Sequence, residues 1–404
     1  MKILFLSQRV PYPPNRGDKI TTWRLVERFQ REHEVRCVSF AHDERDVQAA
    51  AELCDKGIET IPIRHDERRK KLTSLPLFLT NKPLTLGVYG SKELQSKVDE
   101  LAGWADMAYA YSSSMSAFLE PHAHLPRVNH LGELDSDKWR QYAGRTRFPM
   151  SWVYAREFRT LLEYEKRIAH AFTENVLCTP LEQQIFQAQI PGASSTVLRN
   201  GVDLEQFQPA PDNAEPGHLV FTGVMNYYPN VDGCVWFANE ILPRIRERHP
   251  EARFTIIGSN PAPEILALEK LDGVKVTGFV DSVIEWVHKG AVGVAPLRIA
   301  RGIQNKVLEA MACGLPVVGT TSATQGVAGE HGRDYLVADD ATAFADDVCG
   351  LLTDTERARE LGRQARRFVE ENYDWEVVFT HLDDIVAKCA AAHETPSEAK
   401  RLQA

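Results

Sequence analysis

A lysine and a glutamate three residues apart, Lys306 and Glu309, follow a glycine loop in the stretch Pro296-Leu297-Arg298-Ile299-Ala300-Arg301-Gly302-Ile303-Gln304-Asn305-Lys306-Val307-Leu308-Glu309-Ala310-Met311-Ala312-Cys313-Gly314-Leu315-Pro316-Val317-Val318. A β-rich run ends near Pro296, and the pattern turns helical near Gln304. Gly302 permits a tight turn and a close approach of backbone to a ligand. The helix start leaves N–H groups unpaired and carries the positive end of the dipole, which suits a phosphate. Lys306 in that first turn opposes the dipole unless an anion lies between. Glu309, on roughly the same face, is placed to accept both hydroxyls of a ribose. On spacing alone the plainer reading is a solvated Lys306–Glu309 pair, with Ala310, Met311 and Ala312 packed beneath it.

A second glycine loop lies near the start. Ser7-Gln8-Arg9 follows the first β-rich run, and Gly17-Asp18-Lys19 opens a helical stretch. After the fifth β-rich run come His130, Glu133, Asp135 and Asp137. Loops after strands carry chemistry, so one of these carboxylates is a candidate to orient a reacting hydroxyl, and Asp135 is the best placed. His130 falls inside the run and reads as a packed histidine. From Asp137 to Arg167 there are eight Lys/Arg against four Asp/Glu, interleaved with Trp139, Tyr142, Phe148, Trp152, Tyr154, Phe158 and Tyr164. That composition suits an anionic lipid surface. An amphipathic helix packed on a sheet, its charges in water, explains it equally well.

Other chemistries find little support. No G-x-G-x-x-G and no G-x-x-x-x-G-K-[ST] occurs, which disfavours dinucleotide and P-loop enzymes. His122 and His124 are two apart and flanked by prolines, and no other His/Asp/Glu spacing suits a metal, so none is expected. The chain has 404 residues and a net charge of −9, a poor balance for binding nucleic acid. Seven scattered cysteines without C-x-x-C fit a reducing cytosol. Ile3–Leu6 is too short for a signal-peptide core, and no run reaches the ~20 apolar residues of a membrane span. The expected location is cytoplasmic.

The elements that must hold these residues alternate between the two periods. Strands are expected at Ile3–Ser7, Glu34–Phe40, Ile58–Ile63, Met107–Tyr111, Arg127–Leu131, Asn175–Thr179 and Thr196–Arg199, with helices between most of them. Pro209, Pro211 and Pro216 then read as a linker. The alternation restarts with strands His218–Val224, Arg253–Gly258, Val274–Gly278, Val292–Pro296, Pro316–Gly319 and Tyr335–Ala338. Helices are expected at Asp232–Arg248, Asp281–Lys289, Lys306–Cys313 and Thr342–Leu352. This is α/β architecture with two doubly wound parallel sheets. Their carboxyl ends should face a cleft, the usual ligand site of such sheets. The tail from Ala390 is expected to fray.

The Pro296–Val318 stretch resembles the signature of the GT-B fold, family 4 retaining glycosyltransferases, in which a strand, a Gly loop and a helix end in Glu-Ala-Met-Ala-x-Gly-x-Pro-Val-Val. Asn200-Gly201-Val202-Asp203 with Phe207, the run Phe221–Asn230, Ile257–Pro261 and Gly278-Phe279-Val280-Asp281 are similar to further motifs of that family. Four short runs resemble the subfamily associated with the exosortase A / PEP-CTERM system: Gln8–Pro14, Gly17-Asp18-Lys19, Asp135–Trp139 and Gly302–Lys306. One position departs. The family carries two glutamates separated by seven residues, and the first falls here on Arg301. Arg301 then reads either as a partner for a donor phosphate or acidic sugar, or as an exposed loop charge.

The resemblance implies a nucleotide-diphosphate sugar donor and a polyprenyl-linked or growing exopolysaccharide acceptor, with no metal or other cofactor. It implies donor contacts from Gly17, Val280, Gly302, Ile303, Gln304, Lys306 and Glu309, with Arg301 a further candidate by position, and catalytic roles for Lys306 and Arg9 beside Asp135, the candidate read from its loop. It divides the chain into an acceptor domain, 1–204, a donor domain, 205–372, and a C-terminal helix, 373–404, that returns to the first domain. Arg145, Arg147, Arg156 and Arg159, with Trp139 and Trp152, would meet the membrane peripherally. The alternatives are a nucleotide-sugar epimerase or hydrolase of the same fold, and a non-catalytic donor-binding member.

Overall fold

The computed structural model describes residues 1–394. Strands β1 Lys2–Ser7, β2 Glu34–Ala41, β3 Glu59–Arg64, β4 Met107–Tyr111, β5 Arg127–Gly132, β6 Glu174–Leu177 and β7 Ser195–Val197 form one sheet, in the order β3-β2-β1-β4-β5-β6-β7. Strands β8 His218–Thr222, β9 Arg253–Ile257, β10 Val274–Val276, β11 Val292–Ala295, β12 Val317–Gly319 and β13 Leu336–Val337 form the other, in the order β10-β9-β8-β11-β12-β13. The pairing is parallel in both. Parallel strands covered by helices on both faces must be apolar throughout. Accordingly Ile3, Leu4, Phe5 and Leu6 are fully buried, and β11 is buried along its length. In each sheet the order reverses beside the first strand, between β1 and β4 and between β8 and β11. Ligands of such sheets bind at these switch points, beyond the carboxyl ends of the strands.

The chain divides into two compact units, Met1–Leu198 with the chain from Phe379 on, and Arg199–Val378. The crossings fall a few residues from those expected from the sequence, and the Pro209–Pro216 stretch lies inside the second unit. The reason is local pairing. The Val202 N–H donates to the Tyr373 carbonyl at 2.7 Å, and Val202 forms an isolated bridge with Asp374. A Cβ on Gly201 would lie 2.5 Å from the Trp375 ring. The two crossing segments thus hold each other on the second unit. The Pro-rich stretch is fixed there too, since the Glu215 N–H donates to the Lys289 carbonyl at 2.9 Å.

Two expected helices differ in detail. The segment from Tyr228 to Arg248 is helical but interrupted by a π-turn at Phe237–Ile241. Pro243 supplies no N–H and crowds the preceding turn, which favours the wider turn there. The last helix, Trp375–Glu394, continues past Ala390 instead of fraying. Cys389 is buried, and alanine is the strongest helix former. The rest of the expected frayed tail, 395–404, lies outside the described residues. Along this helix Val378, Phe379, Leu382, Ile385 and Val386 are buried while His381, Asp383 and Asp384 face water. Arg28 reaches Asp383 at 2.7 Å, and Arg31 lies over the Phe379 ring at 5.3 Å.

Candidate functional site

The loop from β11 to the helix Asn305–Ala312 is held by its carbonyls. Thr320 Oγ1 donates to Leu297 O at 2.5 Å, Gln325 Nε2 to Ala300 O at 2.9 Å and Gln304 Nε2 to Arg301 O at 2.8 Å. Arg298 anchors the loop sideways through a two-point ion pair with Asp232, at 2.5 and 2.9 Å. Gly302 takes φ +60, a conformation that a side chain makes costly. Gly326 closes the loop from behind, where a Cβ would stand 2.0 Å from Gly302 O. Gly326→Ala must therefore displace backbone. The expected cost is about 1–3 kcal/mol of stability as overpacking, read by urea unfolding. An unchanged midpoint would show that the loop absorbs the methyl group.

The helix begins without a capping side chain and without an acidic residue in its first turn. Its orphan N–H groups and dipole meet Lys306 there instead. Lys306 Nζ lies 3.4 Å from Gln304 Oε1 and 5.5 Å above the Phe221 ring. A Cβ on Gly223, in the loop after β8, would lie 3.5 Å from Lys306 Cε. The lysine thus stands at the β8/β11 switch point. Burial pulls its pKa down to about 8, against the opposing influence of Glu309. Burial likewise pushes the Glu309 carboxyl up, while Lys306 pulls it down. A half-buried ammonium beside uncapped N–H groups stabilises an incoming anion and is stabilised by it. Asn230, buried next to Gly223, donates to Val224 O at 2.9 Å and leaves its Oδ1 without a partner among the described residues.

The structure brings Gly302, Ile303, Gln304, Lys306 and Glu309 together. Arg301 sits in the same loop, partly exposed and engaged in contacts of its own. Val280, past β10 and the turn at Gly278, is partly buried against the core of the second unit.

In the first unit, Gly17 begins the helix Gly17–Glu32. Arg9 lies 3.6 Å from Asp18, whose other oxygen is 2.5 Å from Arg16. Lys19 is spent on a buried ion pair with Asp46 at 2.8 Å. Asp135 starts the helix Asp135–Arg145, partly buried, and accepts from Ser113 Oγ at 2.7 Å. Burial raises its pKa. Asp137, by contrast, is fully buried and tied to Arg140 and Gln141, a structural role. His130 is packed as expected. Its Nδ1 is 2.6 Å from the Tyr109 hydroxyl, and burial pulls it down to about 3.

Two features escape the sequence. Gln8 Nε2 donates to Ser112 Oγ at 2.9 Å and to Ser114 Oγ at 2.7 Å, bridging the β1/β4 switch point. Ser112 is held at φ +94, a strained conformation for a residue with a side chain. Glu165 is fully buried beneath Asp135, accepts from the Ser136 N–H at 3.3 Å, and is pushed up to about 8 by burial and by Asp135. The serine run after β4 was a usable signal for the first. For Glu165 there was none, because a helix face hides which glutamate turns inward.

The basic–aromatic stretch divides. Helices Asp135–Arg145 and Met150–Ala171 pack as a pair, and Trp139 lies against Tyr142 and Tyr154 at 5.9 and 5.3 Å. Arg156 is buried, donating to the carbonyls of Leu77, Thr80 and Lys82 at 2.5–3.1 Å. It is therefore a structural strut and not the headgroup contact expected from composition. Arg147, Arg159 and Trp152 stay exposed.

Residues 216–354 match the family described as Glycosyl transferases group 1. An uncharacterized 44.6 kDa protein from the cps region of Klebsiella pneumoniae is 26% identical over 173 residues, covering 41% of this chain and 45% of that protein. The GDP-mannose-dependent alpha-(1-6)-phosphatidylinositol monomannoside mannosyltransferase of Mycobacterium tuberculosis is 29% identical over 225 residues, covering 48% and 56%. The chain spans about half the length of these relatives. HepE of Anabaena, solved in complex with UDP, aligns at a TM-score of 0.69 and 17% identity over 96% of this chain and 100% of HepE. The fold, with two parallel-sheet Rossmann-like domains, is that of GT-B glycosyltransferase structures. No described helix is long and apolar enough to cross a membrane.

Proposed function

We propose that the protein moves a sugar, with retention at the anomeric carbon, from a nucleotide-diphosphate donor to a lipid-linked saccharide of exopolysaccharide assembly. The uncapped start of Asn305–Ala312 at a switch point, with Lys306 in its first turn and Glu309 one turn on, carries this reading. Breaking the anomeric bond leaves growing charge on the diphosphate. Lys306 and the helix N-terminus meet that charge without needing a metal ion. Glu309 accepts from the ribose hydroxyls, and the Val280 region receives the base. Arg301 replaces a family glutamate, so a cation stands where the donor's sugar or phosphate is read. In the first unit Asp135 orients the acceptor hydroxyl, and Arg9 and the Gly17 loop complete its anion-facing edge. Retention proceeds on one face of the sugar, the leaving phosphate helping to take the acceptor proton. The assignment to exopolysaccharide assembly rests on the PEP-CTERM-like motifs, with support from the cps-region relative.

UDP in HepE and GDP-mannose in the mycobacterial relative's name make both bases worth testing. A ligand that binds only the folded state raises its melting temperature, so UDP-, GDP- and free-phosphate series should separate clearly. Glu309→Ala should then weaken the stabilising nucleotide by about 1–3 kcal/mol, the worth of hydrogen bonds to a charged group, in a protein that melts as before without ligand. Equal affinity in that variant would remove Glu309 from the ribose site. Turnover with and without a lipid acceptor separates transfer from epimerisation, hydrolysis and mere binding. A protein that no nucleotide stabilises would defeat the whole reading.

A further inference from the structure

Several exposed large apolar side chains of the first unit gather at one place. Leu72 (69% exposed) ends the helix Glu67–Thr73, and Leu75 (52%) and Leu79 (92%) project from the 3-10 turn Leu75–Leu79 that follows. Beside them stand Phe148 (81%), Met150 and Trp152 (54%), at the start of the helix Met150–Ala171. The two segments are fastened together. The Phe78 ring stacks on Trp152 at 6.1 Å, and buried Arg156 reaches the Leu77 carbonyl of the turn and the Thr80 and Lys82 carbonyls just after it while lying over Phe78. Glu157, also buried, accepts from the Leu84 and Thr85 N–H groups, both at 2.8 Å. Two buried ionic side chains thus hold a rigid mount for side chains that water disfavours. A globular surface seldom keeps so many together without a partner.

The rim tells which partner. Arg68 and Arg69 on the helix that carries Leu72, Lys82 beside the turn, Arg147 next to Phe148, and Arg159 on the helix of Trp152 are all exposed. The nearest acids are occupied, since Asp66 accepts from the Arg69 N–H and Glu67 pairs with Lys71 at 2.7 Å. Apolar side chains long enough to enter an acyl layer, ringed by cations at headgroup level, match an anionic bilayer. A second copy meeting this one by the same face would set the ring's cations against each other, and a neutral protein groove would not use them.

We propose that the face formed by Glu67–Leu79 and the first turns of Met150–Ala171 docks the protein on an anionic bilayer. This deepens, and rests on, the lipid-linked acceptor proposed above, because the protein must then meet its acceptor at a membrane surface. It also relocates the contact. Most of the basic–aromatic stretch is packed, and only its exposed residues from Arg147 to Trp152, with Arg159, take part, together with a segment that composition did not single out.

The probe is vesicles containing phosphatidylglycerol, with pure phosphatidylcholine as control, in co-sedimentation across a salt series. The wild type should bind the anionic vesicles at low salt and release as salt screens the attraction. The triple variant Leu72→Ser/Leu75→Ser/Leu79→Ser should bind at least tenfold more weakly at every salt concentration. Arg68→Glu/Arg69→Glu should abolish the salt-dependent part alone. All five positions are exposed, so melting temperatures should match the wild type, as should turnover of a water-soluble acceptor. Three results would overturn the proposal. The wild type ignores anionic vesicles at low salt, or the triple variant binds as well as the wild type, or the wild type self-associates through this face instead of binding lipid. A wild type that turns over no sugar nucleotide, yet binds vesicles as described, would sink the proposed activity and leave the docking face standing.

Discussion

Lys306→Ala is expected to lower kcat by about 10²–10³-fold while changing donor affinity by no more than about threefold. The difference follows from when the charge appears. A bound nucleotide diphosphate is already anionic, and the helix N-terminus and solvent share in holding it. The extra charge arrives only as the anomeric bond breaks, and a positioned cation acts on that increment. Activity within a factor of about three of wild type at saturating donor would remove Lys306 from the chemistry. The pH profile gives a second reading. With its folded pKa pulled to about 8 by burial, Lys306 is protonated below that value and loses its charge above it. Then kcat/KM should fall as pH rises through about 8, whereas the limb of kcat should lie higher, because the bound anion favours the ammonium. Stability moves the opposite way. Between about 8 and the ordinary lysine value, the unfolded chain holds a proton that the folded chain has released, so this residue's contribution to stability rises with pH. Lys306→Arg should keep part of the activity and lose the limb near 8, since a guanidinium stays charged.

The sequence revealed the strands most fully, and for a physical reason. A buried parallel strand is a short apolar run with turn residues at both ends, so β1, β2, β4 and β5 could be placed within a residue. The loop leading into Asn305–Ala312 was legible because its glycine and its lysine each contradict a local preference. A cation in a first helical turn is out of place unless an anion lies there. What the sequence hid was the choice between equivalent residues. Asp135 and Asp137 lie two apart, and only the fold shows one meeting Ser113 and the other sealed against Arg140. Arg156 and Arg159 belong to one composition, yet one is a buried strut and the other a surface charge. The segment between β3 and β4 was not read at all. Its first helices are short, and the one at Leu84–Val88 is capped by Glu157 from far along the chain.

A chain ending at Asn372 is expected to be insoluble or molten, with no measurable turnover. The lost segment serves both units from within. In the second unit, Tyr373 is fully buried, its carbonyl accepts from Val202 and its hydroxyl from the Ala328 N–H at 3.0 Å, and Trp375 covers Gly201. In the first, Phe379, Leu382, Ile385, Val386 and Cys389 cover core that would otherwise face water. Each large side chain fully buried contributes about 1.5–3 kcal/mol. Removing five or more reaches the whole stability of an ordinary domain, about 5–15 kcal/mol. The surface ion pair of Asp383 with Arg28 matters much less, because exposed pairs contribute about 0–1 kcal/mol. A graded substitution keeps the claim open to measurement if the truncation cannot be purified. Leu382→Ala leaves a cavity under the helix and should cost about 2–5 kcal/mol in urea unfolding, whereas Asp384→Ala, on the wet face, should cost almost nothing. Near-equal effects at the two positions, or a soluble Asn372-terminated protein with normal turnover, would show that the helix lies on the units without stabilising them. If only Leu382→Ala unfolds early and donor binding survives below its melting temperature, the helix maintains the fold and the donor loop acts independently of it.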